Sequence, residues 1–297
     1  MADLQTVRQN ASGLVRKGRA WAEGLLVWKI WQRLLESEFV DRSVALAGKA
    51  FVSFFPLVIV VAAYAPPGVR ASIFSTLTHR LGLVGGSLAL AKHAFASADD
   101  VRRATGILGL VLTFFYATGF TTALQRVYLR AWRRPPIKSV HSYGVGLTWT
   151  AAVIAYMAGL GALRAILGGH LGLIVMAVFA TAGTAAFWWF TTWLMLGGQV
   201  RWRAVLPSGL ISGVIMTVYA FSATIWMPNT LASNERQFGF FGVALALVTW
   251  FSGAATCVMV GACAGAVLAE DQGGTGRLIR GPVAAILVEG AQPSLPA

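Results

Sequence analysis

Residues 237–269 read QFGFFGVALALVTWFSGAATCVMVGACAGAVLA, thirty-three positions between Arg236 and Glu270 without one Asp, Glu, Lys or Arg. A helix needs about 20 predominantly apolar residues to cross the hydrocarbon core of a bilayer. The stretch therefore holds one crossing and leaves too little chain for two with a connecting turn. Five further charge-free intervals read the same way. They hold 20 residues between Lys49 and Arg70, 22 between Arg103 and Arg126, 25 between Lys138 and Arg164, 36 between Arg164 and Arg201, and 31 between Arg203 and Glu235. The pattern predicts six transmembrane helices near 44–64, 104–124, 142–163, 171–195, 205–227 and 240–268, together a membrane domain over 44–268. Lipid offers the backbone no hydrogen-bond partners, so each segment must satisfy its own. Runs of this length exclude barrel strands, which cross in about 9–11 residues. The predicted fold class is an all-α polytopic membrane protein.

Composition points the same way. Of 297 residues, 57% are hydrophobic and 12% charged, with a mean hydropathy of +0.67. Soluble chains carry about a quarter charged residues, because they must cover a core in water. No separate soluble domain is expected here. The net charge of +13 raises nucleic acid as a partner, but the cations sit in the connectors between apolar runs, where topology signals lie. No nucleic-acid partner is therefore expected. Sixteen Lys and Arg fall in 1–43, 125–139, 198–203 and the tail, against seven in the opposite connectors. The positive-inside rule then puts both termini in the cytoplasm. Trp188, Trp189, Trp193, Trp202 and Trp226 cluster near predicted helix ends, the headgroup level that indole rings favour. Cys257 and Cys263 lie six residues apart on one predicted helix, about 9 Å along its axis, which disfavours a disulfide. No cleavable signal peptide is expected, since Glu23, Lys29, Arg33, Glu36 and Glu38 interrupt the stretch from Trp21 to Phe39.

Two stretches outside the crossings read as ordered. Residues 20–39 place Trp21, Leu25, Trp28, Leu35 and Phe39 on one helical stripe, with Lys29, Arg33 and Glu36 elsewhere. This predicts an amphipathic helix within a cytoplasmic segment 1–43, lying along the membrane surface behind Arg16, Lys17 and Arg19. A docking helix for another protein is the alternative. Residues 68–97 hold two short helical pieces broken at Gly85-Gly86, an extracytoplasmic cap between helices 1 and 2. Residues 269–297 are expected to form a flexible cytoplasmic tail.

The candidate functional residues are few. Lys49 is the one charge inside a predicted crossing, where charge is costly and marks function by default; it either snorkels to the headgroups or binds an anionic group. Pro56 removes a backbone hydrogen bond and kinks its helix, shaping either packing or a cavity. Gln125 ends the second crossing and begins QRVYLRAWRRPPIK. There Arg126, Arg130, Arg133, Arg134 and Lys138 are candidate contacts for anionic lipid. A nucleotide site would need a Gly-rich phosphate loop, and none exists. Stacking of Tyr128 and Trp132 on RNA bases is a weaker fit than lipid headgroups. Glu235 and Arg236 read as a solvated loop pair or an outer gate. His79, His93, His141 and His170 are scattered, with no nucleophile–base pair and no metal spacing. No enzyme, metal or cofactor is expected.

The order of these features resembles the YihY/BrkB family of bacterial inner-membrane proteins, some once labelled ribonuclease BN. The resemblance rests on ALAGKAFVSFFPLVIV (45–60), TTALQRVY (121–128), RWRAVLPSGLISGVI (201–215) and FGFFGVALALVTWFSGAATCVMVGACAGAVLAE (238–270), and covers roughly residues 25–270. It implies six helices, a link to envelope integrity and, in some pathogens, serum resistance, with a suggested transport or lipid-handling role. The chain departs from the family pattern at Gly48 and Lys49, in place of aromatic residues, and at Gln125, in place of Asn. It departs again at Met216-Thr217, near Trp-Glu, and at Cys263, in place of Glu. Two acids are thus missing and Lys49 is gained. With no metal-binding constellation, the ribonuclease label is rejected. The expectation is an inner-membrane transporter or lipid-handling protein, with a cavity flanked by Lys49, Pro56 and Gln125 and anionic membrane lipids as partners. The substrate is an unknown solute or lipid, and association into a homo-oligomer stays open. The alternative is a non-transporting scaffold that recruits partners through its basic segments.

Overall fold

The computed structural model describes residues 26–64, 98–137, 139–166 and 169–271. The expected cap at 68–97, the basic residues Arg16, Lys17 and Arg19, Lys138 and the tail beyond 271 lie outside the described residues. Among the described residues, seven α-helices follow one another: α1 (Leu26–Glu36), α2 (Phe39–Tyr64), α3 (Ala98–Ala131), α4 (Ser139–Ile166), α5 (Gly169–Met195), α6 (Leu206–Phe238) and α7 (Phe240–Glu270). A 3-10 turn, Trp202–Val205, leads into α6, and no strand element occurs among the described residues. Two stretches, Trp202–Phe238 and Phe241–Glu270, are each long and apolar enough to cross a membrane by length and composition.

Local chemistry explains where the helices stop. Pro207 sits in the first turn of α6, where a missing N–H costs nothing. Gly239 alone separates α6 from α7, at φ 59° and ψ −139°, a region that strains any residue with a Cβ. Its N–H bonds back to the Glu235 carbonyl at 2.8 Å. Pro56 stands inside α2 without breaking it.

Successive long helices run antiparallel, and hydroxyl and indole groups fix their register. Between α2 and α3, Ser53 donates to the Tyr116 carbonyl at 2.8 Å and Thr113 to the Pro56 carbonyl at 3.2 Å. Between α4 and α5, the Trp149 indole donates to Thr191 at 3.2 Å, and the Tyr156 and Thr184 hydroxyls lie 2.7 Å apart. Backbones meet directly between α5 and α6, where a Cβ on Gly213 would fall 2.8 Å from the Ala185 Cα and one on Gly209 would overlap Trp189. Between α6 and α7, Ser208 donates to the Gly261 carbonyl at 3.3 Å and Tyr219 to the Trp250 carbonyl at 2.7 Å. α7 returns to α2, with the Phe54 and Phe251 rings 5.6 Å apart, so the six long helices close a ring.

The main core fills one end of that ring, with Leu46, Tyr128, Trp132, Met195, Val205 and Met259 buried together. A smaller cluster of Met227, Leu231, Ala246 and Leu247 serves the α6–α7 turn at the other end. Large apolar side chains point outward between the two. On α6, Leu210, Val214, Val218, Phe221 and Ile225 are all exposed, and their spacing makes a single stripe.

α1 corrects the sequence reading. Arg33, placed off the apolar stripe, is buried together with Leu34, whereas Leu35 of the stripe is exposed along with Val27 and Trp31. α1 turns its charged face toward the helix ends because they offer it acceptors, and it leaves apolar side chains outside.

Candidate functional site

The site is built where α1, α3 and α7 meet. Arg33 is 5% exposed. One Nη donates to the Ala131 carbonyl at 2.8 Å, and the other forms an ion pair with Glu270. Both partners sit at helix C-termini, where the partial charge is negative and a cation is favoured. Glu270 by itself would be repelled by the end of its own helix, so the guanidinium neutralises carboxylate and dipole together. Lys29 repeats the pattern more loosely, with its Nζ 3.6 Å from Asp271. These contacts fasten α1 across the bundle end.

Beside the anchor opens a cleft of about 340 Å³, lined by Glu36, Ser37, Leu129, Arg130, Arg133 and Arg134. The end of α3 creates it. The Arg133 N–H bonds to the Arg130 carbonyl at 3.0 Å and the Arg134 N–H to the Leu129 carbonyl at 2.7 Å. That pair of bonds is a Schellman ending, whose pivotal residue is ordinarily Gly in the left-handed region. Here the pivot is Arg133, at φ 49°. Pro135 and Pro136 follow and stop the helix. Arg133 donates to the Glu36 carboxylate at 2.5 Å, and that bond holds its guanidinium above the ordinary arginine range. Burial pulls Arg134 below that range; nearby Glu270 opposes the shift and Arg33 adds to it. A left-handed Cβ costs roughly 1 kcal/mol relative to Gly. Arg133→Gly is accordingly expected to stabilise the fold by up to about 1 kcal/mol while removing a charge from the cleft. Thermal unfolding in detergent checks the first effect, and a Tm lower than that of the parent contradicts it.

A model of the virulence factor BrkB family matches residues 30–281, which includes α1 from Ile30 onward, the arginine cleft and every helix of the ring. The chain belongs to the BrkB family. This is a membrane family, in keeping with the apolar helices. No curated protein and no solved structure matches the chain.

The structure brings together three of the five basic residues expected to contact lipid in this BrkB chain, namely Arg130, Arg133 and Arg134. Arg126 is exposed one turn before Arg130 and does not line the cleft; Lys138 lies outside the described residues. Lys49, Pro56 and Gln125 do not line this cleft. Lys49 is exposed on α2, and its carbonyl accepts a bond from Ser53 at 2.7 Å. The Pro56 carbonyl is the acceptor for Thr113. Gln125 is buried, its Oε1 accepting from Ser142 at 2.5 Å. The Cys263 thiol faces the Ser37 hydroxyl at 3.8 Å, and Glu270 meets Arg33. Thr217 spends its hydroxyl on the Gly213 carbonyl of its own helix at 2.7 Å. Among the described residues, no three His, Cys, Asp or Glu converge as metal ligands.

Sequence reasoning missed Arg33, Glu36 and Glu270. Glu36 lies 97 residues from Arg133 and Glu270 lies 237 from Arg33, so no local pattern joins them. It also missed the small-residue pairs Gly209/Gly213 and Gly261/Gly265. Their four-residue spacing was visible in the sequence and marks close helix approach.

Proposed function

We propose that the protein is a multi-pass inner-membrane protein of the bacterial envelope that handles anionic lipid at the arginine cleft. The observation that carries this is the convergence of Arg130, Arg133 and Arg134 on one cleft at the end of α3. Guanidinium groups suit phosphate by charge and by fork geometry. Exposed apolar side chains lie close in sequence to the cleft residues Glu36 and Ser37, namely Leu35, Val40 and Val44. A lipid therefore meets both halves of its chemistry there. α2 to α7 act as the six crossings, a reading supported by outward-facing large side chains such as Phe55, Phe115, Ile154, Phe179, Phe221 and Phe241. Such a surface is untenable in water at that extent. The charge asymmetry of the connectors puts both termini and the cleft in the cytoplasm. A second cleft of about 170 Å³ between α2, α3 and α4, walled by Leu57, Phe114 and Leu147, is suited to an acyl chain.

The test uses the full-length protein in nanodiscs of phosphatidylcholine doped with phosphatidylglycerol. Retained phosphatidylglycerol is expected to exceed its bulk share, and Arg130→Gln with Arg134→Gln is expected to reduce the excess at least about threefold, roughly 0.65 kcal/mol or more for charge-assisted contacts. Equal retention of both lipids by the parent protein counts against lipid handling at this site. Thiol labelling of single cysteines at the two termini tests orientation, and labelling from the outside refutes it.

A further inference from the structure

The proposed lipid site has an internal occupant. Glu36 is half-exposed, yet it points into the cleft, 2.5 Å from an Arg133 Nη and 3.9 Å from the Arg33 Nε. Arg33 is already neutralised by Glu270, so Glu36 serves chiefly the arginines of the cleft. Three guanidinium groups against one carboxylate leave two positive charges uncompensated. The backbone makes the same point. The left-handed residue at the end of α3 is the place for glycine, and an arginine stands there at a conformational cost.

We infer that the cleft formed by Arg130, Arg133 and Arg134 is a seat for the phosphomonoester group of a membrane lipid, with Glu36 as a built-in competitor that the headgroup displaces. This rests on the lipid reading above and deepens it. With Glu36 displaced, three guanidinium groups face the headgroup, and a phosphomonoester, at about −1.5 to −2 charges at neutral pH, offsets most of that charge. A phosphodiester carries one charge and leaves the cleft cationic. Glu36 lets go readily: its ion pair with Arg133 is solvent-exposed on both sides, and such pairs contribute roughly 1 kcal/mol or less. When it leaves, Arg133 is free to take a phosphate oxygen, and α1 stays fastened through Arg33.

The experiment measures binding of a fluorescent phosphatidate to the full-length protein in detergent, with phosphatidylglycerol or inorganic phosphate as competitor. Phosphatidylglycerol is expected to compete weakly and inorganic phosphate more weakly still. Glu36→Gln is expected to tighten phosphatidate binding about fivefold, the scale of an exposed ion pair. Arg133→Gly, which relaxes the backbone, is expected to erase the preference for phosphatidate while the fold survives. If neither anionic lipid binds above a zwitterionic control, the lipid reading itself falls. If both bind equally, or Glu36→Gln binds no more tightly, the phosphomonoester seat falls and the lipid reading stands. If inorganic phosphate competes as well as phosphatidylglycerol, the ligand is a free phosphate and the membrane source is overturned.

Discussion

Arg33→Ala is expected to destabilise the protein by about 3 kcal/mol, the lower part of the range for breaking a buried ion pair. Three losses combine. The Glu270 carboxylate is left at the negative end of α7 with its guanidinium gone. The Ala131 carbonyl at the end of α3 loses its 2.8 Å partner. The space held by the buried guanidinium stem empties. Glu270 is 31% exposed, so water recovers part of its solvation, which keeps the estimate from the upper end. The loss should be local first, because α1 is a short helix held to the bundle end by this anchor, the buried Leu34 and the more exposed Lys29–Asp271 and Glu36–Arg133 pairs. Trp31 fluorescence should therefore change at a lower temperature than the helical signal of the bundle. The double variant Arg33→Met, Glu270→Met should recover much of the loss, since apolar replacement of a whole buried pair is often neutral. If Arg33→Ala melts like the parent, the anchor contributes nothing.

Gly265→Val is expected to cost about 3 kcal/mol, the upper end for overpacking, or to prevent accumulation of folded protein. A Cβ at residue 265 would overlap the backbone of Ser208, and backbone cannot swing aside as a side-chain tip can. The added bulk would force α6 and α7 apart along the most extensive helix contact in the molecule. Gly253→Ala makes a useful contrast. Its Cβ meets the ring of Tyr219, a side chain able to rotate at the expense of its bond to the Trp250 carbonyl, so a smaller loss is expected. Gly48→Ala faces open space and should be neutral or slightly stabilising. Melting curves of the three in one detergent give the ranking. Equal stability of Gly265→Val and Gly48→Ala would contradict the close approach.

The helical class was legible because uncharged runs bounded by arginine and lysine carry most of the information about such a chain. Each of the six runs falls largely on one helix. The arginines of 126–134 were legible as a group because they stand in one short basic segment. Which of them converge was not, since that depends on a Schellman ending with Arg133 where the sequence signal for such an ending is glycine. Arg33 was misread for a different reason. Amphipathic patterning treats charge as a mark of the solvated face, and that rule fails where helix ends supply carbonyls and a distant carboxylate. Lys49 drew attention by the opposite rule, as a charge inside an apolar run, and the structure places it exposed on α2.

The contact between α6 and α7 carries a mechanical consequence. Over the half of the seam away from the Gly239 turn, Ser208, Ser212, Gly261 and Gly265 make two nearly smooth rails, whereas Met227, Leu231 and Leu247 interlock near the turn. Two pegs hold the rails instead: Ser208 to the Gly261 carbonyl and Tyr219 to the Trp250 carbonyl. Each pair of pegs is separated by 11 residues on its own helix, roughly 16 Å of rise, so both engage in one alignment and both disengage if either helix slips by a turn. Slippage along this seam is thus all-or-none, with two hydroxyl groups as the latch.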